Sequence, residues 1–308
     1  MTDRNLDAVT GAFSFTGGFI ARRLLAAGRR VRTLTNHPHR PGAEEMEVDV
    51  TPLQFEDREA LIQSLRGVDV LYNTYWIRFP HAGIGFGDAV ANTRRLIGAA
   101  AEAGVRKVVH ISVSNPSADS PLDYYSGKAR AEAIVRESGL AWAVVRPTLI
   151  FGQGDILLNN IAWLLRRMPV FLVPGNGAYR LQPVAGDDVA DIAIWAAGLT
   201  DSVTVDAAGP DIMSYAELVD SIAIAIHHTR RIVFTPPALT LLAARVVGRS
   251  VNDVVLTPQE LDGLMDELLV SKEPPRGTSR IDDWLLRNSD TLGTKYASEL
   301  DRHFRRPL

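Results

Sequence analysis

No cysteine occurs anywhere in the 308 residues, which excludes disulfides, thiolate nucleophiles and cysteine-ligated metals and fits a reducing compartment. Charge imbalance is nearly absent as well. Against 36 Asp and Glu stand 33 Lys and Arg, a net charge of -3 that offers no basic face for tracking a phosphate backbone, so nucleic acid is not the expected partner. Long apolar runs are missing: the stretch Pro236 to Val247 is interrupted by Arg245 and falls far short of the ~20 residues a bilayer span needs. It reads as a buried helix, with a lid or an interfacial patch as the rival reading. Met1 to Asp7 is polar and acidic where a secretion signal would be basic and then apolar, so the expectation is a cytoplasmic protein without a membrane span. The seven histidines form no ligand array, and His227 and His228 are adjacent, so no metal site is expected.

What the sequence does contain is an alternation of short β-branched runs with longer amphipathic segments, the rhythm of a parallel sheet wrapped by helices. Strands are expected at Asp7 to Val9, Val31 to Thr35, Val68 to Asn73, Lys107 to Ser112 and Ala141 to Val145. A first helix follows from Phe15, Phe19, Ile20, Leu24 and Leu25 and stops at Gly28. Further helices are expected at Glu56 to Leu65, Phe86 to Ala103 and Tyr124 to Ser138. From Phe151 the pattern loosens around Gly152, Gly154, Pro169, Pro174, Gly175 and Gly177. The fold class is therefore α/β: a doubly wound parallel sheet over residues 1–150, rejoined by 181–204, with a smaller discontinuous substrate domain at 151–180 and 205–287. A charged stretch at 288–308 reads as an end helix, a partner arm or disorder.

Between the first strand and first helix lies Gly11-Ala12-Phe13-Ser14-Phe15-Thr16-Gly17, where a parallel sheet places a dinucleotide. Gly11 makes the tight turn and Gly17 lets helix and strand approach, while Ser14 stands where a third glycine is usual. Its hydroxyl can donate to a phosphate oxygen. At the end of the second strand no acid is present to bind ribose hydroxyls. Asn36, His37 and Arg40 can instead surround a 2'-phosphate, so NADP(H) is favoured over NAD(H).

Thr10-Gly11-Ala12, Val108 to Ser114, Tyr124-Tyr125-Ser126-Gly127-Lys128-Ala129, Arg146 to Gly152 and Gln182 to Val189 follow in an order and spacing that resemble the extended or atypical short-chain dehydrogenase/reductases. That superfamily includes the NAD-dependent epimerase/dehydratases and the complex I accessory subunit-like proteins. The resemblance spans residues 8 to about 190 and implies a Rossmann fold. Tyr124 and Lys128, four apart on a helix, share one face. An ammonium nearby favours the phenolate, so Tyr124 would exchange the proton at the substrate oxygen; Lys128, by resemblance, also holds the ribose hydroxyls. Tyr125 is a local rival. The resemblance further implies a Ser at the reacting oxygen, Ser114 or alternatively Ser112, and a helix amide, Asn92, in a proton relay. Gln54 and Phe55 take the adenine position, and Asn73, Thr74, Tyr75, Pro147 and Thr148 complete the cofactor set.

Trp76 and Phe79, with Trp163 and Tyr179, suggest an apolar small-molecule substrate. Three functions are in play. The first is an NADP(H)-dependent oxidoreductase acting on a carbonyl or alcohol. The second is a nucleotide-sugar epimerase or dehydratase with retained cofactor, disfavoured because Arg180 sits one residue off the place where a diphosphate-binding arginine is usual. The third is a non-catalytic NADPH-binding subunit or redox sensor, favoured by Ser14, Gln54 and the bulky Tyr75-Trp76 pair. The family resemblance also implies a homodimer through the Phe86 to Ala103 and Tyr124 to Ser138 helices.

Overall fold

The computed structural model describes residues 5–40, 43–228 and 231–303. The chain opens with β1 (Leu6–Thr10), α1 (Phe15–Ala26), β2 (Arg30–Leu34), β3 (Asp49–Thr51), α2 (Arg58–Leu65), β4 (Val70–Asn73) and α3 (Phe86–Glu102). It continues through β5 (Lys107–Ile111), α4 (Asp123–Arg136), β6 (Ala141–Pro147), β7 (Leu149–Phe151), α5 (Ile156–Arg167), β8 (Val170–Pro174), β9 (Arg180–Leu181) and β10 (Pro183–Ala185). Then come α6 (Gly186–Gly198), β11 (Val203–Ala207), β12 (Met213–Ser214), α7 (Tyr215–Ala225), β13 (Arg231–Thr235), α8 (Pro237–Val251), α9 (Pro258–Met265), α10 (Ile281–Asn288) and α11 (Glu299–His303).

Two compact units result: Met1–Pro147 with Gly186–Ala207, and Thr148–Ala185 with Ala208–Leu308. The cuts differ by a few residues from those expected, because β7 pairs with β10 and draws residues 149–151 and 183–185 into the second unit.

In the first unit, seven strands lie in the order β11-β6-β5-β4-β1-β2-β3, every pair parallel. β1, β4 and β5 are buried along their whole length, as strands covered on both faces must be. α1 and α6 pack together; α3 packs against both α2 and α4. The α1–α6 contact is close enough that a Cβ on Gly186 would stand 2.4 Å from the Phe19 ring. Leu61, Leu65, Leu71, Leu96, Val108, Val135 and Val144 fill one contiguous core. β1 and β4 are neighbours although β2 and β3 intervene in the chain, so the loops after them diverge and leave a crevice at the carboxyl ends of the strands.

The second unit has two parallel pairs, β7–β10 and β8–β13, and one antiparallel pair, β9–β12. Phe151, Leu158, Leu165, Phe171, Leu218, Ile222 and Leu285 form its core. The expected tail is built into this unit as far as residue 303: Asn160 Nδ2 donates to the Ala297 carbonyl at 2.9 Å, Arg166 Nε to that of Leu292 at 2.9 Å, and Leu292 is buried. Residues 304–308 lie outside the described residues.

One expectation is corrected. The apolar stretch at 236–247 does form a helix, α8, but not a buried one: only Thr240 and Gly248 are buried, while Leu239, Leu242 and Val246 are 48%, 53% and 57% exposed. The anchoring face is made of small residues, so the aliphatic ones are left to the outside. Among the described residues no helix is long and apolar enough to cross a membrane.

Candidate functional site

Gly11 closes the turn after β1 at φ +69°, a conformation that side chains strain to adopt, and its N–H donates to the Leu34 carbonyl at 2.9 Å. Gly17 in the first turn of α1 approaches so near that a Cβ there would stand 2.2 Å from the Gly11 carbonyl oxygen. Ser14 is the N-cap of α1, yet its hydroxyl makes no capping bond. Instead Oγ lies 3.2 Å and 3.1 Å from where Cβ atoms on Gly11 and Gly17 would be, at the centre of the turn. The first-turn N–H groups, at Phe15, Thr16 and Gly17, have no intrahelical acceptor, and no acid stands among them. Together with the helix dipole they fit a pyrophosphate, and the glycine turn leaves room for its close approach.

Thr10 was not among the expected site residues, and it organises the crevice. Its Oγ1 accepts from the N–H groups of Thr74 (2.7 Å) and Tyr75 (3.0 Å), and Thr74 Oγ1 donates to the Thr10 carbonyl at 2.5 Å. The end of β1 is thereby clamped to the end of β4. Asn73, expected at the cofactor, is wholly buried and spends its amide on this clamp: Oδ1 accepts from Thr10 Oγ1 (3.3 Å) and from Tyr75 N–H (3.1 Å), while Nδ2 donates to His110 Nδ1 (3.1 Å). That bond leaves the proton of a neutral imidazole on Nε2. Burial pushes His110 down to about 3, and the charge of Lys128 acts in the same direction.

Tyr124 and Lys128 occupy successive turns of α4 beside an aromatic cluster. Trp76 stacks on Phe86 (centroids 6.3 Å apart, 19° between planes), and the Tyr124 ring stands edge-on to Trp76 (6.3 Å) and to Phe86 (5.9 Å). Lys128 is 4% exposed; Nζ donates to the Ile111 carbonyl at 3.0 Å and lies 4.7 Å from the Trp76 ring centroid. Burial pushes its amine down to about 7, with Glu132 opposing. Gly127 makes this covering possible, since a Cβ there would stand 3.1 Å from the indole. The indole Nε1 is buried with no hydrogen-bond partner among the described residues. One turn beyond Lys128, buried Glu132 receives Arg146 (2.9 and 2.7 Å) and Arg136 (2.6 Å). Burial is the largest single influence and disfavours its charge, but the bonds and charges of its partners, Arg146 foremost with Arg136 adding to it, together hold its carboxyl below the usual range.

Other expected residues are placed differently. Asn36 is exposed and its amide bridges to Leu53, accepting from the backbone N–H at 3.1 Å and donating to the carbonyl at 2.9 Å. His37 and Arg40 are half-buried beside it, and Gln54 is exposed. Asn92 donates to the Tyr75 hydroxyl at 3.0 Å and accepts from Arg95 at 2.9 Å, and Tyr75 packs on Phe55 with centroids 4.6 Å apart. Ser112 and Ser114 both extend the β5–β6 pairing, their N–H groups donating to the carbonyls of Val145 (2.8 Å) and Pro147 (2.9 Å), and Ser114 is fully buried. Phe79 is buried, edge-on to His81 with the Arg78 guanidinium over its ring. In the second unit Trp163 packs on Tyr296 and Arg167, Tyr179 is buried and stacked on Tyr215, and Thr148 donates to the Gln182 carbonyl at 2.5 Å.

Comparison with known proteins agrees with this geometry. Residues 11–155 match the NAD(P)H-binding family. The mitochondrial NADH-ubiquinone oxidoreductase 40 kDa subunit of Neurospora crassa is 25% identical over 275 residues, covering 86% of this chain and 72% of that one. A (4-alkanoyl-5-oxo-2,5-dihydrofuran-3-yl)methyl phosphate reductase of Streptomyces griseus is 31% identical over 186 residues, 60% of this chain and 59% of that one. Among solved structures, an Escherichia coli NADPH-dependent quinone oxidoreductase complexed with NADPH superposes with a TM-score of 0.72 at 17% identity, covering 92% of this chain and 99% of that one. A Staphylococcus aureus nucleoside-diphosphate-sugar epimerase gives 0.71 at 16%, covering 92% and 99%. The first unit thus carries the match to the NAD(P)H-binding family and has a Rossmann-type fold, and the chain resembles the extended short-chain dehydrogenase/reductase-like superfamily.

Proposed function

We propose that the chain is an NADP(H)-dependent oxidoreductase acting on a carbonyl or alcohol of a small apolar molecule. The observation that carries this is the pairing of Tyr124 with Lys128 on one face of α4, with Lys128 bonded to the carboxyl end of β5. That is the same sheet edge on which the Gly11 turn opens. Gly11, Ser14, Phe15, Thr16 and Gly17 would hold the pyrophosphate, His37 and Arg40 the 2'-phosphate, and Gln54, Phe55, Thr74, Tyr75 and Pro147 the remainder. Bound there, a nicotinamide would supply the hydride when a carbonyl is reduced or accept it when an alcohol is oxidised. Tyr124 then gives or takes the proton at the substrate oxygen, Ser114 or Ser112 bonds that oxygen, and Lys128 biases the phenol toward phenolate. Trp76 forms one apolar wall for the substrate.

A second reading, a subunit that binds NADPH without turnover, draws support from Trp76 lying over Lys128. The epimerase reading is weaker, because the carboxylate of Glu267 takes both Nε (2.9 Å) and Nη2 (2.5 Å) of Arg180.

Titration with NADPH and NADH tests the cofactor assignment. Arg40→Asp should weaken NADPH binding roughly 10- to 100-fold relative to NADH, the loss of a charged hydrogen bond plus repulsion. An unchanged ratio removes Arg40 from the 2'-phosphate site, and absence of binding to either nucleotide overturns the proposal.

A further inference from the structure

Helix α8 is held by one narrow face. Thr240 is buried with its hydroxyl 2.8 Å from that of Thr235, and Gly248 is buried where a Cβ would stand 2.6 Å from the Asp253 carbonyl. At 3.6 residues per turn, Leu239, Leu242 and Val246 fall within a sector about 60° wide on the other side. All three are about half exposed or more. Arg245 and Arg249, four apart, line one edge of that sector and are exposed.

The charge around this stripe is one-sided in a chain that is otherwise slightly acidic. Residues 221–252 contain four arginines and no Asp or Glu. The first acid beyond, Asp253, has its carboxylate occupied by the Tyr296 hydroxyl (2.9 Å) and the N–H groups of Glu299 (2.8 Å) and Leu300 (3.0 Å). An aliphatic stripe beside arginines that form no ion pair among the described residues is complementary to a surface that is apolar a few ångströms down and anionic above, where arginine stems lie along the hydrocarbon and their heads stay at the phosphates. A protein face would supply discrete carboxylates, whereas an anionic lipid surface supplies a continuous layer of phosphates.

We propose that α8 seats this protein, peripherally and reversibly, on an anionic lipid surface. Three aliphatic side chains and two arginines make weak attachment, and among the described residues no helix is long and apolar enough to cross the bilayer. The test is co-sedimentation of the full chain with phosphatidylglycerol-rich vesicles and with phosphatidylcholine vesicles, at low and high salt. Binding should be confined to the anionic vesicles and released by salt. Arg245→Gln/Arg249→Gln should weaken it roughly 30-fold, and Leu242→Glu/Val246→Glu should abolish it without lowering the melting temperature, since those side chains lie outside the core. No binding at low salt, or binding that survives Leu242→Glu/Val246→Glu, overturns the proposal. So does a lipid-free oligomer that Leu242→Glu/Val246→Glu dissociates, because the stripe then belongs to a second copy of the chain.

Discussion

Tyr124→Phe should lower turnover roughly 10²- to 10⁴-fold, the usual contribution of a positioned proton donor, while leaving NADPH affinity within a few-fold of the parent. The substitution is structurally mild. The ring keeps its edge-on contacts with Trp76 and Phe86, which depend on the aromatic faces and not on the hydroxyl. Only the proton is removed from the reaction, so the effect falls on kcat and not on binding. Lys128 lies on the next turn with the indole of Trp76 over it, so turnover further requires the indole to yield or the lysine to act through its field alone. Trp76→Ala separates these possibilities. Faster turnover means that the indole obstructs the lysine; slower turnover with weaker substrate binding makes the indole part of the substrate wall. Unaffected activity in Tyr124→Phe removes this residue from the mechanism. A parent protein that binds NADPH tightly and reduces no carbonyl favours the non-catalytic reading.

Local pattern made the nucleotide-binding half legible. The strands carrying the crevice are short aliphatic runs, Gly11 and Gly28 mark turns by their conformation and Gly17 a close helix–strand approach, so β1, α1, β2, β4, β5 and β6 fall within a few residues of expectation. β3 escaped because it has three residues, two of them exposed, and no apolar alternation. What the sequence could not reveal is pairing at a distance. Asn73 resembles a cofactor ligand until the sheet register sets it beside Thr10 and His110, which lie 63 and 37 positions away. Asn36 resembles a phosphate ligand until the β2–β3 pairing brings Leu53 into reach of its amide. The one available signal for the buried network was His110 itself, a lone polar residue inside the aliphatic run Val108-Val109-His110-Ile111. Trp76 could be suspected of narrowing a pocket, but its seat over Lys128 needs the gap at Gly127, which reads in sequence as an ordinary helix glycine.

Replacing Lys128 by Met should alter how stability depends on pH, in a direction fixed by burial. The amine is pushed down to about 7 in the folded protein from 10.5. Between those values the unfolded chain holds a proton that the folded chain does not, so rising pH stabilises the parent across this window. Below pH 7 both states are charged and folding bears the whole cost of burying the ammonium. Above 10.5 that cost is gone. Met, similar in length and uncharged, bears none of it at any pH. Lys128→Met should therefore be more stable than the parent at pH 6 by about 1–4 kcal/mol, the range seen when buried charges give way to apolar groups. The difference should shrink as pH rises from 7 to 10. His110, pushed down to about 3 from 6.5, costs stability only as pH falls through that lower window, which lies almost wholly below the pH range of the comparison. Urea unfolding of both proteins from pH 6 to 10 reads the effect directly, and parallel curves would show that Lys128 is hydrated in solution rather than sealed beneath Trp76. The same variant bears on function. If Lys128 reaches the ribose, Lys128→Met gains stability and loses NADPH affinity together; a gain in stability with affinity intact means that the lysine stays covered, which is the behaviour of a binding subunit and not of a dehydrogenase.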